Sequence, residues 1–230
     1  MHRCCLILAL LAIGALSAAP AGAVGVEVRP DRVLDGDTVT IALADLPNGS
    51  VFTLRLDGEV APNPDGTFAF TTTDLVMPFS LEKGQVQAAL ENTATNELAV
   101  RKGDTQVKMS GASQNGRYTA ERNLTIGAGT YDELGLAGTA APGATAVRTA
   151  LALTGIKRGP DTSTISFKVR GVTRGTMTVL VYANAEKVYG KEIALGPASA
   201  ATPTQRAGTW EGAALAVAAG LAVATAVRRR

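Results

Sequence analysis

The sequence is nearly empty of the residues most often recruited for chemistry at neutral pH. Its one histidine and two cysteines are His2, Cys4 and Cys5. All three precede or abut the apolar run Leu6 to Leu16, which follows Arg3 and leads to the A-x-A sequence Ala21-Gly22-Ala23. A positive start, an apolar centre and a small-residue cleavage site make residues 1–23 a secretory signal peptide, so the mature chain is expected to begin at Val24. Such a chain has no histidine and no cysteine. That excludes a disulfide, a thiolate nucleophile, a histidine general base and a Cys/His zinc site.

Other absences narrow the field further. There is no G-x-S-x-G, no P-loop and no EF-hand spacing. Gly127-Ala128-Gly129 opens a G-x-G, but Asp132 stands where a dinucleotide fingerprint needs its third glycine. No useful length of the chain shows an amphipathic helical period. The formal charge of +2 arises at the ends: between Val24 and Thr209 the sequence has 18 basic and 19 acidic residues. Nothing in that balance suggests a nucleic-acid surface. No cofactor is implied.

What is present begins at the C-terminus. Gly212 to Val227 carries no charge, Trp210 stands upstream and Arg228, Arg229 and Arg230 follow. An apolar run with an aromatic at one end and arginines at the other reads as a single membrane span with a cytoplasmic basic tail. The run is short for a bilayer, and Trp210, Glu211 and snorkelling arginines make up the length. Gly212, Ala216, Gly220 and Ala224 recur every four residues on one helix face, a spacing that suits self-association of two such helices. No LPxTG-like or PGF-like motif precedes Trp210. The expected topology is single-pass type I, with the bulk of the chain extracellular. The stretch 197–209, small and polar, reads as a stalk whose Ser and Thr are candidates for O-linked sugar.

Between the two ends the text alternates with period two. Val39, Ile41 and Leu43 form one inward row, as do Phe52, Leu54 and Leu56; Phe68 and Phe70; Met77, Phe79 and Leu81; Val86, Ala88 and Leu90; and Leu98 and Val100. Asp35-Gly36, Asn48-Gly49, Asp57-Gly58, Asp65-Gly66 and Lys83-Gly84 punctuate the rows as turns. With Val24–Arg29 this makes about seven short strands over residues 24–103, at the spacing of a β-sandwich. A second set over 104–196 opens at Val107 and Met109. It continues through Tyr118–Ile126, a Gly/Ala-rich loop from Gly127 to Ala144, Val147–Leu153 and Ile165–Val169, and ends with Thr176–Tyr182 and Val188–Leu195.

Gly36-Asp37-Thr38-Val39-Thr40-Ile41, Leu56-Asp57-Gly58 and Asp65-Gly66-Thr67-Phe68-Ala69-Phe70 resemble the strands of immunoglobulin-like domains in prokaryotic, especially archaeal, cell-surface proteins. The resemblance covers about eighty residues and implies fold and location rather than a ligand. The expected architecture is all-β: two immunoglobulin-like sandwich units, 24–103 and 104–196, between a signal helix, a stalk and a membrane anchor at 210–230. The first unit has 6 basic and 12 acidic residues and the second 11 and 7. Stacked end to end, the acidic unit lies farthest from the membrane and is the expected contact surface.

Candidate sites are few. Asp57 and Glu59 share a strand face at i, i+2, where an acid and a nucleophile can sit, although Gly58 between them signals a turn. Asp31, Asp35, Asp37 and Asp65 are hard oxygen donors on turns and are candidates for calcium. Asn48-Gly49-Ser50 and Asn123-Leu124-Thr125 are glycosylation sequons, with Asn48 in a turn and Asn123 in a strand. The functional expectation is a non-enzymatic surface protein with a structural, adhesive or envelope-assembly role, whose partners are the membrane and an envelope protein or glycan. An accessory or substrate-binding subunit of a membrane complex is the alternative, and an extracellular hydrolase is disfavoured.

Overall fold

A computed structural model describes residues 23–198. The signal segment, most of the stalk and the anchor residues Trp210, Gly212, Ala216, Gly220, Ala224 and Arg228–Arg230 lie outside the described residues. Fourteen strands and no helix make up the described part. They are β1 (Gly25–Arg29), β2 (Arg32–Val33), β3 (Thr38–Ala44), β4 (Val51–Val60), β5 (Thr67–Met77), β6 (Ser80–Glu91) and β7 (Thr93–Lys102). Then come β8 (Thr105–Ala112), β9 (Arg117–Asn123), β10 (Gly129–Ala140), β11 (Val147–Arg158), β12 (Ser163–Arg170), β13 (Gly175–Ala183) and β14 (Glu186–Leu195).

Sheet I has the order β1-β3-β12-β5-β10-β7-β8, and sheet II the order β2-β14-β13-β4-β11-β6-β9. All pairings are antiparallel except β14 with β2. Only β7–β8 and β13–β14 are hydrogen-bonded hairpins of consecutive strands. Elsewhere the chain crosses from one sheet to the other, at Asp35-Gly36, at Asn48-Gly49 and at Asp65-Gly66. The glycines supply the positive φ at these corners, as Gly36, Gly49 and Gly66 do with φ of 87°, 89° and 80°. The β13–β14 turn is the two-residue type in which both central residues, Asn184 and Ala185, have positive φ (51° and 66°).

This topology corrects the expected pair of domains. β4 pairs with β11 and β13, and β5 with β10 and β12, so strands from 24–103 and 104–196 are interleaved within both sheets. Gly103 and Asp104, the expected boundary, are the two residues of the β7–β8 turn. The inner rows of both sheets join in one hydrophobic cluster, which includes Phe52, Leu56, Phe70, Leu98, Leu136, Leu151, Phe167 and Val179. The acidic 24–103 and the more basic 104–196 are therefore not separate bodies, and neither is the outer unit.

Four further local readings are corrected. Asp57-Gly58 lies within β4 and Lys83-Gly84 within β6. Gly58 is an inward position where a Cβ would stand 2.7 Å from Thr149 Oγ1, so the glycine makes room for a neighbour. Gly84, with Lys83 at φ 50°, sits in a bulge opposite Gly155. The Gly/Ala-rich stretch after Gly127 is not a loop: it contains β10, an interior strand between β5 and β7. Tyr131, Leu134 and Leu136 anchor it in the core. Met77, Phe79 and Leu81 do not form one strand, because Pro78-Phe79 is the crossing from β5 to β6. There Phe79 is buried edge-on to Phe52, with ring centroids 5.2 Å apart.

Candidate functional site

The clearest concavity lies on the outer face of sheet II. It arises from a size contrast between neighbouring strands. β11 turns Ala150 and Ala152 outward; Ala150 lies opposite Asp57 of β4 and Ala89 of β6, and Ala152 opposite Arg55 and Gln87. Long side chains on both sides of an alanine floor leave a trough open to solvent. One part, of about 370 Å³, is bounded by Arg55, Gln87, Thr119 and Glu121. An adjoining part, of about 400 Å³, shares Arg55, Ala89 and Ala150 and extends to Glu59, Glu91, Arg117, Arg148 and Glu192. Between the sheets, by contrast, two voids have only about 10 Å³ each, so the core is filled.

The charged groups of the trough engage one another. Arg55 Nε donates to Asp57 Oδ1 at 2.6 Å, and that hydrogen bond raises the guanidinium's already high pKa against a smaller opposing effect of burial. Arg148 Nε donates to Glu59 Oε2 at 3.2 Å and Arg117 Nη2 to Glu91 Oε1 at 2.7 Å. Gln85 Nε2 donates to Glu121 Oε1 at 2.6 Å. Asp57 and Glu59 do share an exposed face of β4, as their spacing indicated, yet each is bonded to its own arginine. Five carboxylates (Asp57, Glu59, Glu91, Glu121, Glu192) face three guanidiniums, a balance that disfavours a polyanion.

The four aspartates considered for calcium are each occupied in holding the chain's corners. Asp31 pairs with Lys191 Nζ at 2.5 Å, which lowers the carboxyl's pKa through that hydrogen bond and the ammonium's charge. Asp35 accepts from the Gly171 amide at 2.8 Å and from Arg170 Nη1 at 3.3 Å. Asp37 accepts from the Leu34 amide at 2.8 Å. Asp65 Oδ1 accepts from Thr67 Oγ1 at 2.7 Å and from its amide at 2.9 Å, and these bonds hold its pKa below the usual carboxylate range. Among the described residues, no three His, Cys, Asp or Glu side chains come together as a metal site.

Asn48 is exposed at the β3–β4 crossing, where its Oδ1 accepts from the Gly159 amide at 3.3 Å, while Ser50 of the same sequon is buried. Asn123 is exposed at the end of β9, with its Oδ1 3.2 Å from Gln85 Nε2.

One unusual residue escaped the sequence reading. The Lys157 side chain has 0% exposure, its Nζ donating to Gly159 O at 3.1 Å, 5.3 Å from the centre of the Phe79 ring and 3.9 Å from Asp161 Oδ1. Burial pushes its pKa down, and Asp161 opposes the shift. The signal was available: Leu151, Leu153, Gly155 and Lys157 share one parity, and extending the strand past Leu153 places the lysine inward. The alanine floor had no such signal, because it takes the pairing of two strands distant in sequence, β6 and β11, to put Ala89 beside Ala150 and Ala152.

Comparison with known proteins finds no family model that matches the chain and no curated protein that matches it.

Proposed function

We propose that this is a non-enzymatic, membrane-anchored extracellular protein of the cell envelope, whose sandwich presents the sheet II trough to a hydroxyl-rich envelope glycan. The supporting observation is the trough itself: a floor of alanines walled by carboxylates, amides and guanidiniums already oriented by hydrogen bonds to one another. Groups fixed in this way recognise neighbouring hydroxyls at low entropic cost. The trough also lacks apolar side-chain pockets of the kind an extended peptide fills. The signal-like start and the apolar, arginine-ended C-terminus support the placement at a membrane. The resemblance to immunoglobulin-like strands of prokaryotic surface proteins supports the envelope setting.

The test is retention of the full chain, in detergent, on immobilised envelope polysaccharide. Ala150→Trp fills the trough and is expected to lower retention at least about tenfold, whereas Ala42→Trp on the outer face of sheet I leaves it unchanged. No retention of the native chain, or equal loss by both variants, refutes the reading. Protease added to intact cells is expected to remove the bulk of the chain, and protection until lysis refutes the topology. The accessory-subunit alternative uses the same trough, and stable co-purification of the full chain with another membrane protein favours it.

A further inference from the structure

The fold holds the two glycosylation sequons very differently. Asn48-Gly49-Ser50 is bent at Gly49, with φ of 89°, and is fastened at every residue. The Asn48 amide donates to Asp161 Oδ1 at 2.9 Å, and Asn48 Oδ1 accepts from the Gly159 amide at 3.3 Å. The Gly49 amide donates to Lys157 O at 2.8 Å, and Ser50 O accepts from the Lys157 amide at 2.9 Å. Ser50 itself is only 7% exposed. The turn that makes Asn48 look accessible in the sequence therefore keeps the hydroxyl of its sequon inside the fold.

Asn123-Leu124-Thr125 is the opposite case. It runs off the end of β9 and continues beside β6 to the Leu81–Ile126 bridge. Arg117 turns its amide and carbonyl away from β6, to Gln114. By the period of two, Asn123 also turns its own away from β6. Past Gln114 no described strand lies on that side. The sequon is held by the Leu124 amide, which donates to Gly84 O at 2.8 Å. At Gly84 a Cβ would collide with Leu124 O, so the glycine admits this close approach. Asn123 and Thr125 stand two apart and both line one open concavity of about 430 Å³, with Lys83, Gly84 and Leu124. Both are exposed. Asn123 Oδ1 accepts from Gln85 Nε2 at 3.2 Å, whereas its Nδ2 and Thr125 Oγ1 have no partner among the described residues.

We propose that Asn123 carries an N-linked glycan and that Asn48 does not. The donor is a sugar held on a lipid phosphate or pyrophosphate. Asn123 Nδ2 forms the bond to the sugar's C1, the bond from C1 to the phosphate oxygen breaks, and the phosphate leaves with the electron pair. The amide proton passes to a base of the transferase. Thr125 supplies the hydroxyl by which the acceptor is read. An edge-strand end held by so few bonds opens at little cost, which lets a transferase take the segment up from the folded chain. The same access at Asn48 requires the β3–β4 crossing to come apart. The proposal rests on the extracellular placement and is independent of what the trough binds.

The test uses the full chain from the membranes of its own cells, with the mass of the peptides that contain each asparagine as the readout. Glycan mass is expected on the Asn123 peptide and absent from the Asn48 peptide. Asn123→Gln and Thr125→Val should each remove that whole mass, Thr125→Ser should keep it, and Asn48→Gln should leave it unchanged. The serine variant shows that the hydroxyl is read, because a loss through misfolding alone would not be rescued by it. An unmodified Asn123, or occupancy of Asn48 equal to or above that of Asn123, overturns the proposal. Protease added to the same cells shows whether the placement fails with it: cleavage of a chain with bare Asn123 refutes the site alone, and protection until lysis refutes both.

Discussion

Sheets I and II each have seven strands over one shared core, yet their outer faces differ in relief. On sheet I, side chains of similar size lie opposite one another: Thr40 by Ser166, Ala69 by Ala137, and Thr67 by Thr139 by Thr95. That face is level. On sheet II, Ala150 and Ala152 sit between rows of Arg, Asp and Gln, and the face is grooved. Neither face is more polar by design of its backbone; relief comes from whether cross-strand neighbours match in size. The inner sides differ too. Sheet I buries neutral polar residues, Thr72, Thr93 and Asn96, whereas sheet II buries Thr149 and Lys157.

The largest effects should be equal in the two sheets if only their faces differ. A Cβ at Gly138 of β10 would lie 2.0 Å from Thr95 O, and one at Gly175 of β13 would lie 2.1 Å from Glu59 O. Each glycine lets a neighbouring backbone approach. Gly138→Ala and Gly175→Ala should each cost about 3 kcal/mol or more, measured by denaturant unfolding. A large loss at one site and none at the other would show that the sheets are unequal frames.

Next in size is Lys157, which has no counterpart inside sheet I. Lys157→Met should stabilise the protein by about 1–3 kcal/mol near neutral pH by removing a buried cation of similar volume. Burial holds the folded amine's pKa below its unfolded value, so unfolding takes up a proton between the two. Stability should therefore rise with pH through that interval towards the ordinary lysine value, and Lys157→Met should flatten the rise. Unfolding midpoints across pH in both proteins check this, and identical profiles would contradict it.

The same change at two buried threonines should then have opposite signs. Thr72 Oγ1 donates to Leu134 O at 2.9 Å, and Thr72→Val should cost about 1 kcal/mol. Thr149 Oγ1 is buried without a hydrogen-bond partner, and Thr149→Val should gain about 1 kcal/mol. Losses at both positions would mean that Thr149 is satisfied. Smallest is Arg55→Ala on the grooved face: its half-exposed ion pair with Asp57 should be worth under about 1 kcal/mol of stability. Glycan retention should nonetheless fall, separating a binding role from a structural one.

Much of this molecule is legible one strand at a time. Val39-Ile41-Leu43, Phe52-Leu54-Leu56 and Val86-Ala88-Leu90 alternate in the sequence and are buried in that alternation. β10 was not legible because Gly129, Gly135 and Gly138 dilute its apolar row, and glycine is disfavoured in strands unless a neighbour needs the space. At Gly135 that neighbour is Thr71, whose Oγ1 would stand 2.7 Å from a Cβ. Asp57-Gly58 read as a turn for the same reason: the dipeptide is a turn signal only where no partner strand claims the glycine.

The sequence by itself therefore determined the strand class, most of the inward rows, three of the five glycine turns it named and the scarcity of reactive side chains in the described body. These follow from local chemistry: a period of two, glycine at positive φ, and the presence or absence of a residue type. The tertiary structure decided that 24–103 and 104–196 are one sandwich, that the trough exists and that Lys157 is buried. Each of these depends on which strand lies beside which. Inward rows of Val, Leu, Ile and Phe are nearly interchangeable as partners, so their order in a sheet is settled only when all of them pack at once.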